Sequence, residues 1–163
     1  ICAPFGFAYV AISMRWTVCS RSGAALPDAI WPLASSALLA AGSGLIVLAK
    51  RAIGSAALPL LVLAALGAAS PAFGLDFNGY RLAGLEPTQH AWSAAIAAML
   101  SYQGLHVVTV VLAALYLAAR AWRGHVGHTS RATLDNVALI WHYTTLQGIA
   151  GAATVHFVPM VMG

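Results

Sequence analysis

The run Tyr102-Gln103-Gly104-Leu105-His106-Val107 lies midway along Ala91–Ala119, a stretch without a single Asp, Glu, Lys or Arg. A helix over that stretch would run about 43 Å at 1.5 Å per residue, longer than the roughly 30 Å hydrocarbon core of a bilayer. It predicts a membrane crossing that tilts or protrudes. Polar and aromatic groups at its centre have no water to satisfy them, and an unpaired polar group in such surroundings costs about 2 to 7 kcal/mol. Each is expected to have a protein partner. A second polar set follows downstream, with an acid at Asp135 and the triplet Trp141-His142-Tyr143.

Composition extends the membrane assignment to the whole chain. The 163 residues are 61% hydrophobic and 7% charged, with mean hydropathy +0.83, whereas a soluble domain carries roughly 25% charged residues. Ala, Leu, Val and Gly dominate, a mixture suited to close helix packing in lipid. The formal charge of +4 comes from basic residues scattered at predicted helix ends, where they act as orientation signals. Nucleic acid is excluded as a partner, because no basic patch with interleaved aromatics exists. Cys2 and Cys19 fall at opposite ends of one predicted span, too far apart for a disulfide. The chain opens on Ile1 with no basic segment ahead of its first apolar stretch. It is expected to be a processed product or the C-terminal part of a longer polypeptide.

Requiring about 20 apolar residues per crossing gives an all-α bundle of five transmembrane helices in a single domain spanning 1–163: Cys2–Cys19, Ala29–Ala49, Ser55–Leu75, Ala91–Ala119 and Leu134–Met160. Asp28 is expected as an N-cap; Asp76, Asn78-Gly79 and Glu86-Pro87 form a loop; Gly124, Gly127 and Thr129-Ser130 form the next. Pro71 predicts a kink in the third span. Alternating loops put Lys50, Arg51, Arg120, Arg123 and Arg131 on one face and Arg21 and Arg81 on the other. The first face is then cytoplasmic, with the N-terminus in and the C-terminus out.

Six histidines raise the question of heme. His142 and His156 lie fourteen residues apart, within roughly 40° of one helix face, but the sixteen residues between His90 and His106 turn them about 160° apart. A four-ligand, two-heme arrangement fails on that geometry. One heme between His106 and His142 is the surviving alternative, as in a b-type membrane cytochrome. His125-x-x-His128 resembles half a metal site but has no third ligand in its loop. Asp28, Asp76, Glu86 and Asp135 all fall near predicted helix ends, so no deep acid is available to a self-sufficient pump. Ser and Thr have no His and acid placed to form a hydrolytic triad. Buried polar contacts between the last two spans and broad Ala/Gly faces are properties of an assembly subunit.

These two segments resemble subunit III of heme-copper respiratory oxidases, the cytochrome c oxidase subunit III family. That family carries H-G-L-H-V in one helix, an Arg at its cytoplasmic end, a basic loop with His, then an acid and W-H-F near the start of the last helix. Here the order is Gln103-Gly104-Leu105-His106-Val107, Arg120, Gly124-His125-Val126-Gly127-His128, Asp135 and Trp141-His142-Tyr143. The resemblance covers about Ala91–Gln147, and five helices match the short form of the subunit, often fused behind subunit I in bacteria. Nitric-oxide-reductase partner subunits share the same features. Three positions depart: Gln103 replaces the first His, Asp135 replaces Glu, and Thr145 replaces the Asp that follows W-H-F.

The resemblance implies a noncatalytic accessory subunit or domain of a proton-pumping terminal oxidase in a bacterial inner membrane. It would hold no heme or copper itself; both would reside in the partner, with subunits I and II and phospholipid as its contacts. Gln103, His106, Asp135, Trp141 and His142 are then expected to form an interhelical polar network. Arg120, Arg123 and Arg131 are expected at the cytoplasmic surface, against lipid headgroups.

Overall fold

The computed structural model describes residues 28–88, 91–127 and 129–162. Four helices account for nearly all of them: α1 (Ile30–Arg51), α2 (Ala57–Leu82), α3 (Ala91–Trp122) and α4 (Ala132–Met162). α1, α2 and the Ser93–Trp122 part of α3 are long and apolar enough to cross a membrane, which points to an integral membrane protein. Four of the five expected helices fall among the described residues. Cys2–Cys19 lies outside the described residues. α4, whose first half carries Asp135, Asn136, His142, Thr144, Thr145 and Gln147, is not among the apolar spans found over the described residues.

The helices form a ring in which α1 packs on α2, α2 on α3, α3 on α4 and α4 back on α1, with no Cα atoms within 8 Å across either diagonal among the described residues. Consecutive helices run in opposite directions. The end of α1 therefore meets the start of α4, where Lys50 pairs with Asp135, and the start of α1 meets the end of α2, where Ser35 bonds Asp76. Lys50, Arg51, Arg120, Arg123 and Arg131 thus share one end of the bundle, and Arg81 lies at the other.

Glycines set how closely these helices approach. A Cβ on Gly79 would lie 2.8 Å from the Trp31 Cβ, across α1 and α2, and one on Gly104 would lie 2.9 Å from Phe73 Cζ, across α2 and α3. A Cβ on Gly148 would meet Gln103 Nε2 at 2.7 Å and Leu39 Cδ1 at 2.8 Å, and one on Gly42 would meet Trp141 at 3.2 Å and the Ala65 carbonyl at 3.3 Å. Every interface of the ring therefore seats a larger side chain on a bare backbone, as expected where lipid offers no hydrophobic drive between helices and packing must supply the attraction.

Helix ends follow local chemistry more than the predicted boundaries. Ser55–Leu75 becomes Ala57–Leu82, so Asp76, Asn78 and Gly79 belong to a helix and not to a loop. The stop comes at Gly84, which adopts φ +68°. There the Gly84 amide donates to the Arg81 carbonyl at 3.1 Å and the Leu85 amide to the Tyr80 carbonyl at 3.3 Å, the Schellman pattern that satisfies orphan carbonyls. Gly124, at φ +72°, ends α3 the same way, with His125 N–H bonding the Arg120 carbonyl at 2.9 Å. Pro32 and Pro59 sit in the first turns of α1 and α2, where no intrahelical amide is needed; Pro71 lies inside α2 without ending it. The N-cap of α1 is Ala29, with no side-chain bond, so Asp28 does not cap through its carboxylate.

Packing is uneven along the bundle. One continuous apolar core, including Ile46, Val62, Ala65, Ala114, Leu117, Leu134 and Trp141, fills the middle and the basic end. A small separate cluster of Tyr80, Ile96 and Val155 closes the other end. Outside the ring, Leu60, Leu105, Leu112 and Leu139 are each more than 60% exposed, the surface of a bundle that faces lipid or a partner and not water.

Candidate functional site

The polar residues of α3 and α4 divide among three places. The first is the α3–α4 seam. Gln103 is buried, and its Nε2 donates to the Thr144 carbonyl at 3.3 Å, while the bare Gly148 backbone lets the amide lie flat against α4. One turn further along, His106 uses its Nδ1 on the Tyr102 carbonyl at 2.9 Å. Its ring meets Tyr102 edge-on at 4.4 Å and Tyr143 at 5.5 Å.

The second place is the α1–α4 seam. Trp141 is the largest fully buried side chain among the described residues and rests on Gly42. His142 shares a hydrogen bond between its Nδ1 and the Ser43 hydroxyl of α1, and Thr145 donates to the Leu39 carbonyl at 3.5 Å. His142 and Tyr143 are successive residues, about 100° apart around the helix. His142 therefore turns to α1 while Tyr143 turns to His106 on α3. The two histidines of the heme alternative occupy different flanks of α4.

The third place is the basic end. Asp135 sits in the first turn of α4, beside the connecting loop, and bridges two cations: Lys50 Nζ reaches its Oδ1 at 2.8 Å, and Arg131 Nε reaches its Oδ2 at 2.8 Å. Hydrogen bonds from Arg131 and then Lys50 hold its carboxyl down to about 2. Asp135 thus joins α4 to α1 and to the loop, away from Gln103 and His106. Arg120 donates to Thr133 at 3.0 Å and lies 5.8 Å from the centre of the Tyr116 ring, stapling the α3–α4 connection. Ser130 tightens the same loop by donating to the His125 carbonyl at 3.1 Å. Arg123 is exposed. His128 lies outside the described residues, and no group of three His, Cys, Asp or Glu able to hold a metal occurs among the described residues.

A cavity of about 350 Å³ opens between α2, α3 and α4 near the end opposite the basic cluster. Ile96, Met99, Leu100 and Val155 give it apolar walls, Leu146 stands at its open side, and Asp76, Gln103 and Gln147 line it together with Tyr80, Tyr102, Tyr143 and Thr154. Gln103 Oε1 and Gln147 Oε1 are both buried without a hydrogen-bond partner. Asp76 accepts from Ser35 at 2.7 Å. Sequence reasoning placed Asp76 in a loop and did not single out Gln147 or Ser43. The available signal was Leu82-Ala83-Gly84, a helix stop that extends α2 two turns past Leu75 and carries the acid into the bundle.

The fold and these contacts define an all-helical membrane bundle with polar seams between its helices. No protein-family model matches the chain, and no curated protein matches it.

Proposed function

We propose that the chain is a noncatalytic, all-helical subunit or domain that packs against subunit I of a proton-pumping heme-copper terminal oxidase in a bacterial inner membrane. One observation carries the proposal: the two segments that resemble subunit III, Gln103–Val107 and Trp141–Tyr143, lie on adjacent helices and serve helix contact, through Gln103 on Thr144 and Trp141 on Gly42. Groups so committed stabilise a scaffold. Heme and copper belong to the partner, and the exposed leucines of α3 and α4 supply apolar surface for subunit I, subunit II and phospholipid. The basic end faces the cytoplasm, in keeping with the positive-inside rule.

The placement of His106 and His142 on different flanks of α4 weighs against a heme held between them. The test is solubilisation of the native membrane with an affinity tag on this chain. Recovery of a heme-copper subunit I in constant ratio is the expected result, and a nitric-oxide-reductase catalytic subunit in its place would reassign the parent complex. A folded chain that travels with neither, or that alone carries a stoichiometric Soret band lost on replacing His106 or His142, overturns the proposal.

A further inference from the structure

We propose that the apolar stretch of this chain before Asp28 docks on the cavity between α2, α3 and α4, with the guanidinium of Arg15 pairing with the Asp76 carboxylate. The pairing concerns this chain alone and does not depend on which complex it joins.

Asp76 is the group that asks for a partner. It is the only charged residue between Ala57 and Tyr80. It is half-buried, accepts from Ser35 at 2.7 Å through Oδ2 and lines the cavity, whereas a carboxylate has about four lone-pair sites. Among the described residues the ion pairs are those of Asp135, and no Lys, Arg or His lines the cavity. Arg81, five residues further along α2, stands about 140° away around the helix and is exposed. The hydroxyls of Tyr80, Tyr102, Tyr143 and Thr154 line the same cavity; they both donate and accept, so the charge on Asp76 is what selects a cation.

The sequence ahead of Asp28 supplies that cation at a matching depth. Arg15 is the only charged residue of Cys2–Cys19, and an unpaired charge in a membrane span is costly. Four residues separate Arg15 from Cys19, and five separate Ile30, where α1 begins, from Ser35, the partner of Asp76. For the helix expected over Cys2–Cys19, these are about 6 Å and about 7.5 Å from the same end of the bundle. One and two turns before Arg15 stand Ile12, Ala11 and Ala8, a sequence face that suits the apolar walls of Ile96, Met99, Leu100 and Val155. A cavity of about 350 Å³ is too small for a helix about 10–12 Å across, so it takes side chains from one face, with the backbone at the open side by Leu146. Residues 20–27 can extend about 26 Å, and the diagonal of a ring of helices 8–10 Å apart is about 14 Å, so the connection to α1 reaches this groove. Arg21 belongs to that connection, at the end where Asp28 and Glu86 are exposed.

Disulfide cross-linking of the full chain in phosphatidylcholine nanodiscs, with Cys2 and Cys19 replaced by Ala, tests this. Ile12→Cys should cross-link to Leu146→Cys, at the open side of the cavity, at least about tenfold faster than to Ala37→Cys, which is exposed on α1 two residues past Ser35. Arg15→Leu and Asp76→Leu should each slow the first cross-link about threefold, the factor that an interhelical contact of about 0.6 kcal/mol gives in a membrane. The double variant should slow it no further, and the exchange Arg15→Asp with Asp76→Arg should restore it. Arg21→Leu should leave it unchanged. The cross-link to Leu146→Cys needs neither charge variant, so docking stays testable if one of them misfolds. No cross-link at Leu146→Cys, equal rates at Leu146→Cys and Ala37→Cys, losses from Arg15→Leu and Asp76→Leu that multiply in the double variant, or an equal loss from Arg21→Leu would each overturn the proposal.

Discussion

The Ser35 hydroxyl donates to Asp76 Oδ2 across 2.7 Å, tying the first turns of α1 to the last turns of α2. The two partners are not equally replaceable. A serine that loses Asp76 can turn its hydroxyl back to the carbonyl four residues earlier in its own helix, here that of Trp31. Asp76 has no such fallback. Ser35→Ala is therefore expected to destabilise the bundle by about 1 kcal/mol, the scale of an interhelical hydrogen bond in a membrane, and Asp76→Leu by less. Unfolding in lipid bicelles measures both. A larger loss for Asp76→Leu than for Ser35→Ala would show that the carboxylate has a second role in stability.

The glycines sort into two groups with opposite expected responses to alanine. Gly79, Gly104 and Gly148 each hold a neighbour closer than 3.0 Å to where a Cβ would stand, whereas Gly44, Gly67 and Gly74 have nothing within 4 Å. Alanine at Gly79 and Gly104 overpacks an interface and should cost about 1–3 kcal/mol; at Gly148 the close atoms are the ends of the Gln103 and Leu39 side chains, which can shift, so the loss there should be smaller. At the second three it only restricts the unfolded backbone and should stabilise by about 0.5–1 kcal/mol. The same bicelle measurement, run on six single variants, checks the sign at each; a loss at Gly67→Ala or Gly74→Ala would reveal a partner surface pressed on that face.

Much of this arrangement was legible in the chain. Ala91–Ala119 and Ala29–Ala49 announce helices by length and lack of charge, and both appear within a few residues of the expected ends. Gln103 donates to Thr144 and His142 shares a hydrogen bond with Ser43, while Trp141 is held by packing on Gly42. Which partner each takes was not legible, because it depends on the rotation of α4 in the ring: a change of one residue exchanges His142 for Tyr143 at the α1 seam. Asp76 was misplaced for a local reason. Asp, Asn and Gly in succession resemble a loop, but Gly79 is there to admit Trp31, and the stop lies at Gly84.

Arg120 and Thr133 make a further prediction about the α3–α4 connection. The guanidinium spans from Thr133 at 3.0 Å to the His125 carbonyl at 3.4 Å, fixing a loop that otherwise holds Gly124 and Gly127. Lysine has one charged nitrogen and cannot span both. Arg120→Lys should accelerate amide hydrogen exchange across residues 124–131 while leaving the middles of α3 and α4 unchanged. Faster exchange throughout both helices would mean that Arg120 supports the whole bundle.

Asp135 gives the basic end a pH dependence whose direction is fixed. Its carboxyl, ordinarily at 3.8, is held down to about 2 by Arg131 and Lys50. Asp135 sits in the first turn of α4, beside the loop that joins it to α3. A carboxyl lowered on folding contributes stability that is fully present above its unfolded value near 4 and is lost as pH falls through the folded value near 2. Protonation also leaves Lys50 and Arg131 facing each other without the charge between them. Spin labels at Arg51→Cys and Ala132→Cys, in a background with Cys2 and Cys19 replaced by Ala, report the separation of the α1 and α4 ends. The distance distribution should stay narrow down to about pH 4 and broaden toward pH 2 as Asp135 protonates. Asp135→Asn should be broad throughout; a variant that still sharpens as pH rises would place the titrating group elsewhere.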